Sequence, residues 1–87
     1  MMKEFVFINN FEEKFDDFKK FIGNPENVKS IDVTFNIGKE VTLMEISDIS
    51  TLISGILPED TNINLVTNVN ENLNNNDIIV KVKILED

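Results

Sequence analysis

The stretch Ile31-Asp32-Val33-Thr34-Phe35-Asn36-Ile37, followed by Gly38-Lys39-Glu40-Val41 and then Thr42-Leu43-Met44-Glu45-Ile46, decides the fold. Its apolar period changes from two to about 3.6 residues, the spacing that separates a strand from a helix. Successive strand side chains point to opposite faces. Ile31, Val33, Phe35 and Ile37 therefore share one face, while Asp32, Thr34 and Asn36 share the other. Such a strand has one dry and one wet side. Gly38-Lys39-Glu40 reads as a turn. Thr42 and Glu45 have the spacing of a capping box, and Val41 with Ile46 can close a hydrophobic staple around it. Ile46, Ile49, Ile53 and Ile56 continue the stripe of this helix; Gly55 weakens its last turn, and Pro58 lies just beyond.

The same reading extends outward in both directions. On the N-terminal side, Phe5-Val6-Phe7-Ile8 is a short run of β-formers, expected to be a strand buried on both faces or centrally placed. Asn9-Asn10 stops it, and Asn10 is positioned to cap the next helix. Phe11, Phe15, Phe18 and Ile22 then recur on one helical face. Acids crowd the first two turns and Lys19-Lys20 the last, which suits the helix dipole. Gly23-Asn24-Pro25 ends this helix.

On the C-terminal side, Thr61 to Thr67 predicts a third strand, with Ile63, Leu65 and Val66 as its apolar members. The asparagine-rich segment Asn68–Asp77 reads as a mobile hairpin loop. Ile78 to Leu85 predicts the last strand, with Ile78, Val80, Val82 and Ile84 facing one way and Ile79, Lys81, Lys83 and Leu85 the other. The resulting order β-α-β-α-β-β predicts an α/β (α+β) two-layer sandwich. It has a four-stranded mixed sheet with two helices on one face, in a single domain over residues 1–87.

Composition narrows the function. The chain of 87 residues has 16 Asp and Glu against 8 basic residues, a net charge of −8, and neither His nor Cys. It therefore lacks a thiolate nucleophile and a cysteine-based metal site, and also the commonest general base. Every basic residue is Lys, which removes the Arg fork used for bidentate anion recognition. The acidic balance disfavours nucleic acid and anionic lipid. No apolar run approaches the ~18 residues of a membrane span, nor does the N-terminus hold a signal-peptide core; a cytoplasmic setting is expected. Glu12-Glu13 and Asp16-Asp17 place acids at i, i+4, a pattern that carboxylate-ligated Mg²⁺ or Ca²⁺ could use. A solvated helix surface is the simpler reading. The Asn68–Asp77 segment lacks the Asp-x-Asp-x-Asp-Gly order of an EF-hand. No cofactor or metal is expected.

Val41-Thr42-Leu43-Met44-Glu45-Ile46 is the first of several segments that, taken in order, resemble the C-terminal domain of the FtsZ/tubulin family; it is similar to the family's L-T-L-x-E segment. Pro58-Glu59-Asp60-Thr61-Asn62-Ile63-Asn64 is similar to D-x-x-A-N-I-I, and Val69-Asn70-Glu71-Asn72-Leu73 stands where the family has V-I-x-x-x-L. Val80-Lys81-Val82-Lys83-Ile84-Leu85 stands where it has V-R-V-T-V-I. Upstream, Asn24-Pro25 follows a helix as S-P-L-L does. Val33-Thr34-Phe35-Asn36-Ile37-Gly38 resembles V-L-x-N-I-T-G-G. The series runs from about Phe11 to Leu85. The family's glycine-rich phosphate loop and its acidic catalytic loop have no counterpart, and Glu86-Asp87 replaces its A-T-G-F ending. The resemblance thus implies an isolated C-terminal domain without GTP binding or hydrolysis. The Met1-Met2 start favours a free-standing gene product over an excised piece.

These observations lead to one main expectation and two alternatives. The first is a non-enzymatic, cytoplasmic protein-interaction domain that binds or modulates a filament-forming, FtsZ-type GTPase or its regulators in bacterial cell division. Its partner-binding residues would be Ile79, Lys81, Lys83 and Leu85, on a sheet face where Asp32 could pair with lysine. A monomer or weak homodimer is expected, with no nucleic acid or membrane partner. The second is a self-associating structural domain. The third is a small enzyme on a chorismate-mutase-like fold, against which the lack of Arg counts.

Overall fold

The computed structural model describes residues 1–87. Its elements are β1 (Met2–Ile8), α1 (Phe11–Ile22), a 3-10 turn at Pro25–Asn27, β2 (Val28–Ile37), α2 (Leu43–Ser54), β3 (Asn62–Val69) and β4 (Ile78–Glu86). The four strands form one mixed sheet in the order β1-β4-β2-β3. β2 and β3 are parallel, whereas β4 runs antiparallel to both neighbours. The β-α-β-α-β-β sandwich expected from the periodicity is the fold.

Topology explains why both helices lie on one face. The chain crosses from β1 to β2 through α1 and from β2 to β3 through α2, moving the same way across the sheet each time. Crossovers between parallel strands are right-handed in nearly all proteins, so two that advance in one direction place their helices on the same side. The first crossover skips a position, and β4 returns to fill it. Burial follows this plan. Phe7, Ile31, Val33, Phe35, Ile37, Val80, Val82 and Ile84 face the helices and are buried. They meet Phe18 and Ile22 of α1 and Ile46, Ile49 and Ile53 of α2 in a single apolar cluster.

Phenylalanines link α1 to the β1 edge. The Phe7 ring lies 5.3 Å from Phe18 at a near edge-on angle and 4.7 Å from Phe11. Phe5 makes edge-on contacts at 5.4 Å to Phe18 and 5.2 Å to Phe21. Such pairs add roughly 0.5–1.5 kcal/mol beyond the area they bury. Lys3 closes this end of the core. Its Nζ donates to the Phe21 carbonyl oxygen at 2.6 Å, lies 3.2 Å from Glu86 Oε1 and sits 4.8 Å above the Phe21 ring. The ammonium thus satisfies a carbonyl that the helix C-terminus leaves without an intrahelical partner. Gly23 ends α1 at φ 68°, ψ −120°, a conformation that costs glycine least.

Five expectations need correction. β1 is not central but an edge strand, and Val6 and Ile8 on its outer face are exposed. In β3, only Ile63 packs against the core; Leu65 remains half exposed on the helix side because β3 is the other edge, and Val66 because it points to the face without helices. Asn10 precedes α1 without a side-chain cap bond to the helix; its Oδ1 accepts instead from the Ile8 N–H at 2.8 Å. The capping box at α2 is half made: Thr42 Oγ1 accepts from the Glu45 N–H at 3.2 Å.

The fifth correction concerns Asn68–Asp77. β3 and β4 are not paired with each other, so this segment is not a hairpin; β3 keeps Asn68 and Val69, and the rest crosses the end of β2. It is tied down on both sides. Gly38 N–H donates to Asp77 O at 2.8 Å, Glu40 N–H to Asn75 O at 2.9 Å, and Asn70 N–H to Ile37 O at 2.9 Å. Asn9, at φ 56°, accepts from the Ile78 N–H at 2.6 Å and donates to Asp77 Oδ1 at 3.0 Å. The crossing passes so close to Gly38 that a Cβ there would lie 1.9 Å from the Asn74 carbonyl oxygen.

Two substitution tests follow from this packing. Phe7→Ala, at a fully buried site, should lower unfolding free energy by about 3–5 kcal/mol. Val6→Ala on the other face should stay within about 1 kcal/mol; urea midpoints read the contrast. Gly38→Ala should destabilise by about 1–3 kcal/mol, because the crossing must move to admit the methyl group.

Candidate interaction face

The face of the sheet away from the helices is open, and strand register arranges its side chains in four rows. Met2, Leu85, Ser30 and Asn62 form the first. Glu4, Lys83, Asp32 and Asn64 form the second. Val6, Lys81, Thr34 and Val66 form the third, and Ile8, Ile79, Asn36 and Asn68 the fourth. The four residues singled out in the sequence, Ile79, Lys81, Lys83 and Leu85, thus run down one side of β4, an interior strand, and each is flanked on both sides. Lys83 and Leu85 are exposed; Ile79 and Lys81 are partly covered by their neighbours.

The second row carries the charge. Register places Lys83 between Glu4 and Asp32, where opposite charges on facing strands attract. The Asp32–Lys pair considered from the sequence does not close. Asp32 Oδ1 accepts instead from Asn64 Nδ2 at 2.9 Å. The ion pairs of the molecule lie elsewhere, at Lys3–Glu86, Lys14–Asp17, Lys19–Asp16 and Lys29–Asp87. The last raises the Lys29 ammonium above its ordinary range, through the hydrogen bond to Asp87 and then through that charge. Lys83 therefore keeps an ammonium free of direct ion pairs in the middle of the face, with two carboxylates in the neighbouring strands.

Apolar side chains surround that row. Met2, Val6, Ile8, Val66 and Leu85 are all exposed, and Ile79 lies beside Ile8. Sequence reasoning missed Val6 and Ile8 because the run Phe5–Ile8 reads as buried on both faces or centrally placed, whereas only one face of the sheet is covered. It missed Val66 because the residue was assigned to the core. The signal that could have found them is the alternation in Met2-Lys3-Glu4-Phe5-Val6-Phe7-Ile8, whose partners across the ladder determine which face is covered.

On the opposite side of the molecule, an open cleft of about 530 Å³ separates the start of α1 from α2. Phe7, Ile78 and Val80 form part of its floor, and Glu12, Glu13, Glu45 and Asp48 stand around it. Asp16 and Asp17, the other half of the acidic pattern on α1, instead pair with Lys19 and Lys14. No group of three or more acidic side chains converges in a way that could hold a metal ion. No helix is long and apolar enough to cross a membrane. No protein-family model matches the chain, and no curated protein matches it.

The charged row gives a direct test of the face's electrostatics. Lys83→Glu would line up three carboxylates across adjacent strands. It should destabilise the fold by about 0.5–1 kcal/mol in low salt, and most of that loss should disappear near 1 M salt, where the screening length is about 3 Å. Urea titration at the two ionic strengths reads the difference.

Proposed function

We propose that this chain is a non-enzymatic, cytoplasmic protein-interaction domain that works through its open sheet face. The observation that supports this reading is the helix-free face itself. Five exposed apolar side chains, Met2, Val6, Ile8, Val66 and Leu85, surround a row of alternating charge. Exposed apolar side chains gathered on one face mark interaction sites more often than chance exposure does. Ile79 and Leu85 supply apolar anchors on β4. Lys81 and Lys83 supply the cations of its four paired rows, so a complementary partner surface would present apolar groups with carboxylates between them.

For the partner, the resemblance to the FtsZ/tubulin C-terminal domain supports a filament-forming GTPase or one of its regulators. The mechanism in this reading is mimicry. A domain shaped like part of a filament subunit occupies a partner's binding surface or blocks subunit addition. It needs no nucleotide, because the segments that resemble the family include neither the phosphate loop nor the catalytic loop. Opposite charges at such an interface act mainly on association rate and on choice of partner.

Titrating the chain into an FtsZ-type GTPase, with polymer pelleting and GTP turnover as readouts, tests the proposal. A dose-dependent change in either is expected. The Ile79→Ser/Leu85→Ser double variant should weaken it, and Lys83→Glu should weaken it most at low salt, where the repulsion from partner carboxylates is least screened. No change up to a large excess would overturn the filament assignment. A clear rise in melting temperature with GTP would overturn the claim that the chain binds no nucleotide, since a ligand that binds only the native state must stabilise it.

A further inference from the structure

We infer that β3 is a self-pairing edge, through which two copies of this chain join their sheets into one of eight strands. The pairing uses the outer edge of β3 rather than the open face itself, although Val66 belongs to both.

The two edges of the sheet are built differently. β1, at one edge, carries Lys3 and Glu4, the charged side chains with which proteins discourage strand addition. β3, at the other, lies within the run Thr61–Asn70, which has no charge, proline or glycine. It is eight residues long, and neither helix nor loop pairs with its outer side. Leu65, Val66 and Val69 on it are 52%, 51% and 62% exposed. A long, uncharged edge strand with exposed apolar side chains is a template for another strand.

Charge and register identify the occupant as a second copy. At a net charge of −8, two copies repel wherever their acidic surfaces meet. The neutral β3 edge lets them approach without juxtaposing carboxylates, whereas a basic partner strand would be drawn to the acidic helices. The strand also complements itself. Two copies related by a two-fold axis perpendicular to the sheet must pair antiparallel, with like faces together, so residues of the same parity oppose each other. With the axis at Val66, Val66 meets its own copy and Asn64 meets Asn68 on the open face. Ile63 then meets Val69, and Leu65 meets Thr67, on the helix side. Apolar and β-branched groups oppose one another, as do amides, and all four helices stay on one face. A contact of one strand pair falls below the ~1,200 Å² of total area buried at the low end of stable interfaces. The dimer should therefore be weak and dissociate on dilution.

The experiment combines sedimentation equilibrium with cross-linking. The unmodified chain should pass from monomer to dimer between micromolar and millimolar concentration. Val66→Lys, at an exposed position, should keep its circular dichroism spectrum but raise the dimer dissociation constant by about tenfold or more, because a lysine from each copy would meet at the axis. The chain has no cysteine, so Val66→Cys introduces a single thiol. Opposed Cβ atoms about 4.5–5.5 Å apart would place it near its symmetry mate. Under mild oxidation this variant should form a disulfide-linked dimer much faster than Glu4→Cys on the other edge. A chain that stays monomeric at millimolar concentration would overturn the inference. So would a dimer that Val66→Lys leaves intact, or equal cross-linking rates for the two cysteine variants.

Discussion

The structure depends on the insertion of β4 between β1 and β2. The crossover through α1 leaves those two strands parallel and one strand apart, so neither completes a sheet with the other. β4 pairs with both, running Met2 against Leu85 through Ile8 against Ile79 on one side and Ser30 against Leu85 through Ile37 against Ile78 on the other. Val80, Val82 and Ile84 thereby reach the centre of the core, all fully buried. The closure is between distant parts of the chain: residues at the two ends lie side by side in the ladder. Such contacts return their stabilisation only after a large loop has been closed, which slows folding relative to a chain of local contacts.

The one-sided sheet is a consequence of the same topology. Because both crossovers advance in one direction, the helices cover a single face, and the other must be wet or bound. Its central strands carry polar groups at Asp32, Thr34, Asn36, Lys81 and Lys83, which can remain hydrated. Its margin at β1 is more apolar, with Met2, Val6 and Ile8 exposed. The covered face has the reverse problem at its rim, where Lys3 brings an ammonium to the end of α1. There the Phe21 carbonyl, the Glu86 carboxylate and the Phe21 ring together receive it. Its aliphatic stem lies along the core while the charge is neutralised at the margin.

The crossing from Asn70 to Asp77 shows how polar sequence can be structural. Its composition is that of a solvated loop, yet its backbone carbonyls accept from Gly38 and Glu40, and at the start of β4 the Asn9 side chain donates to Asp77 Oδ1 and accepts from the Ile78 N–H. These bonds hold the end of β2 against the beginning of β4. Gly38 is part of the same arrangement, since any larger residue would collide with the crossing.

Local pattern alone determined the element types here. The period-two run from Ile31 to Ile37, the phenylalanine stripe of α1 and the isoleucine stripe of α2 each encode their own secondary structure, and the alternation of β4 already separated Ile79, Lys81, Lys83 and Leu85 from the core residues. Strand order was not in any local pattern. Phe5-Val6-Phe7-Ile8 reads equally well as a central or an edge strand, because the run does not say which other strand will flank it. Leu65 and Val66 read as core for the same reason. The destination of the Asn68–Asp77 segment was illegible because a turn between neighbours and a crossing over a strand share the same polar composition. Long-range pairing decided these matters: β4 has more backbone hydrogen bonds and more apolar surface to satisfy between β1 and β2 than beside β3. That choice places β1 and β3 at the edges and leaves Leu65 half exposed at the rim of the covered face, while Val6, Ile8 and Val66 are exposed because they point to the face without helices.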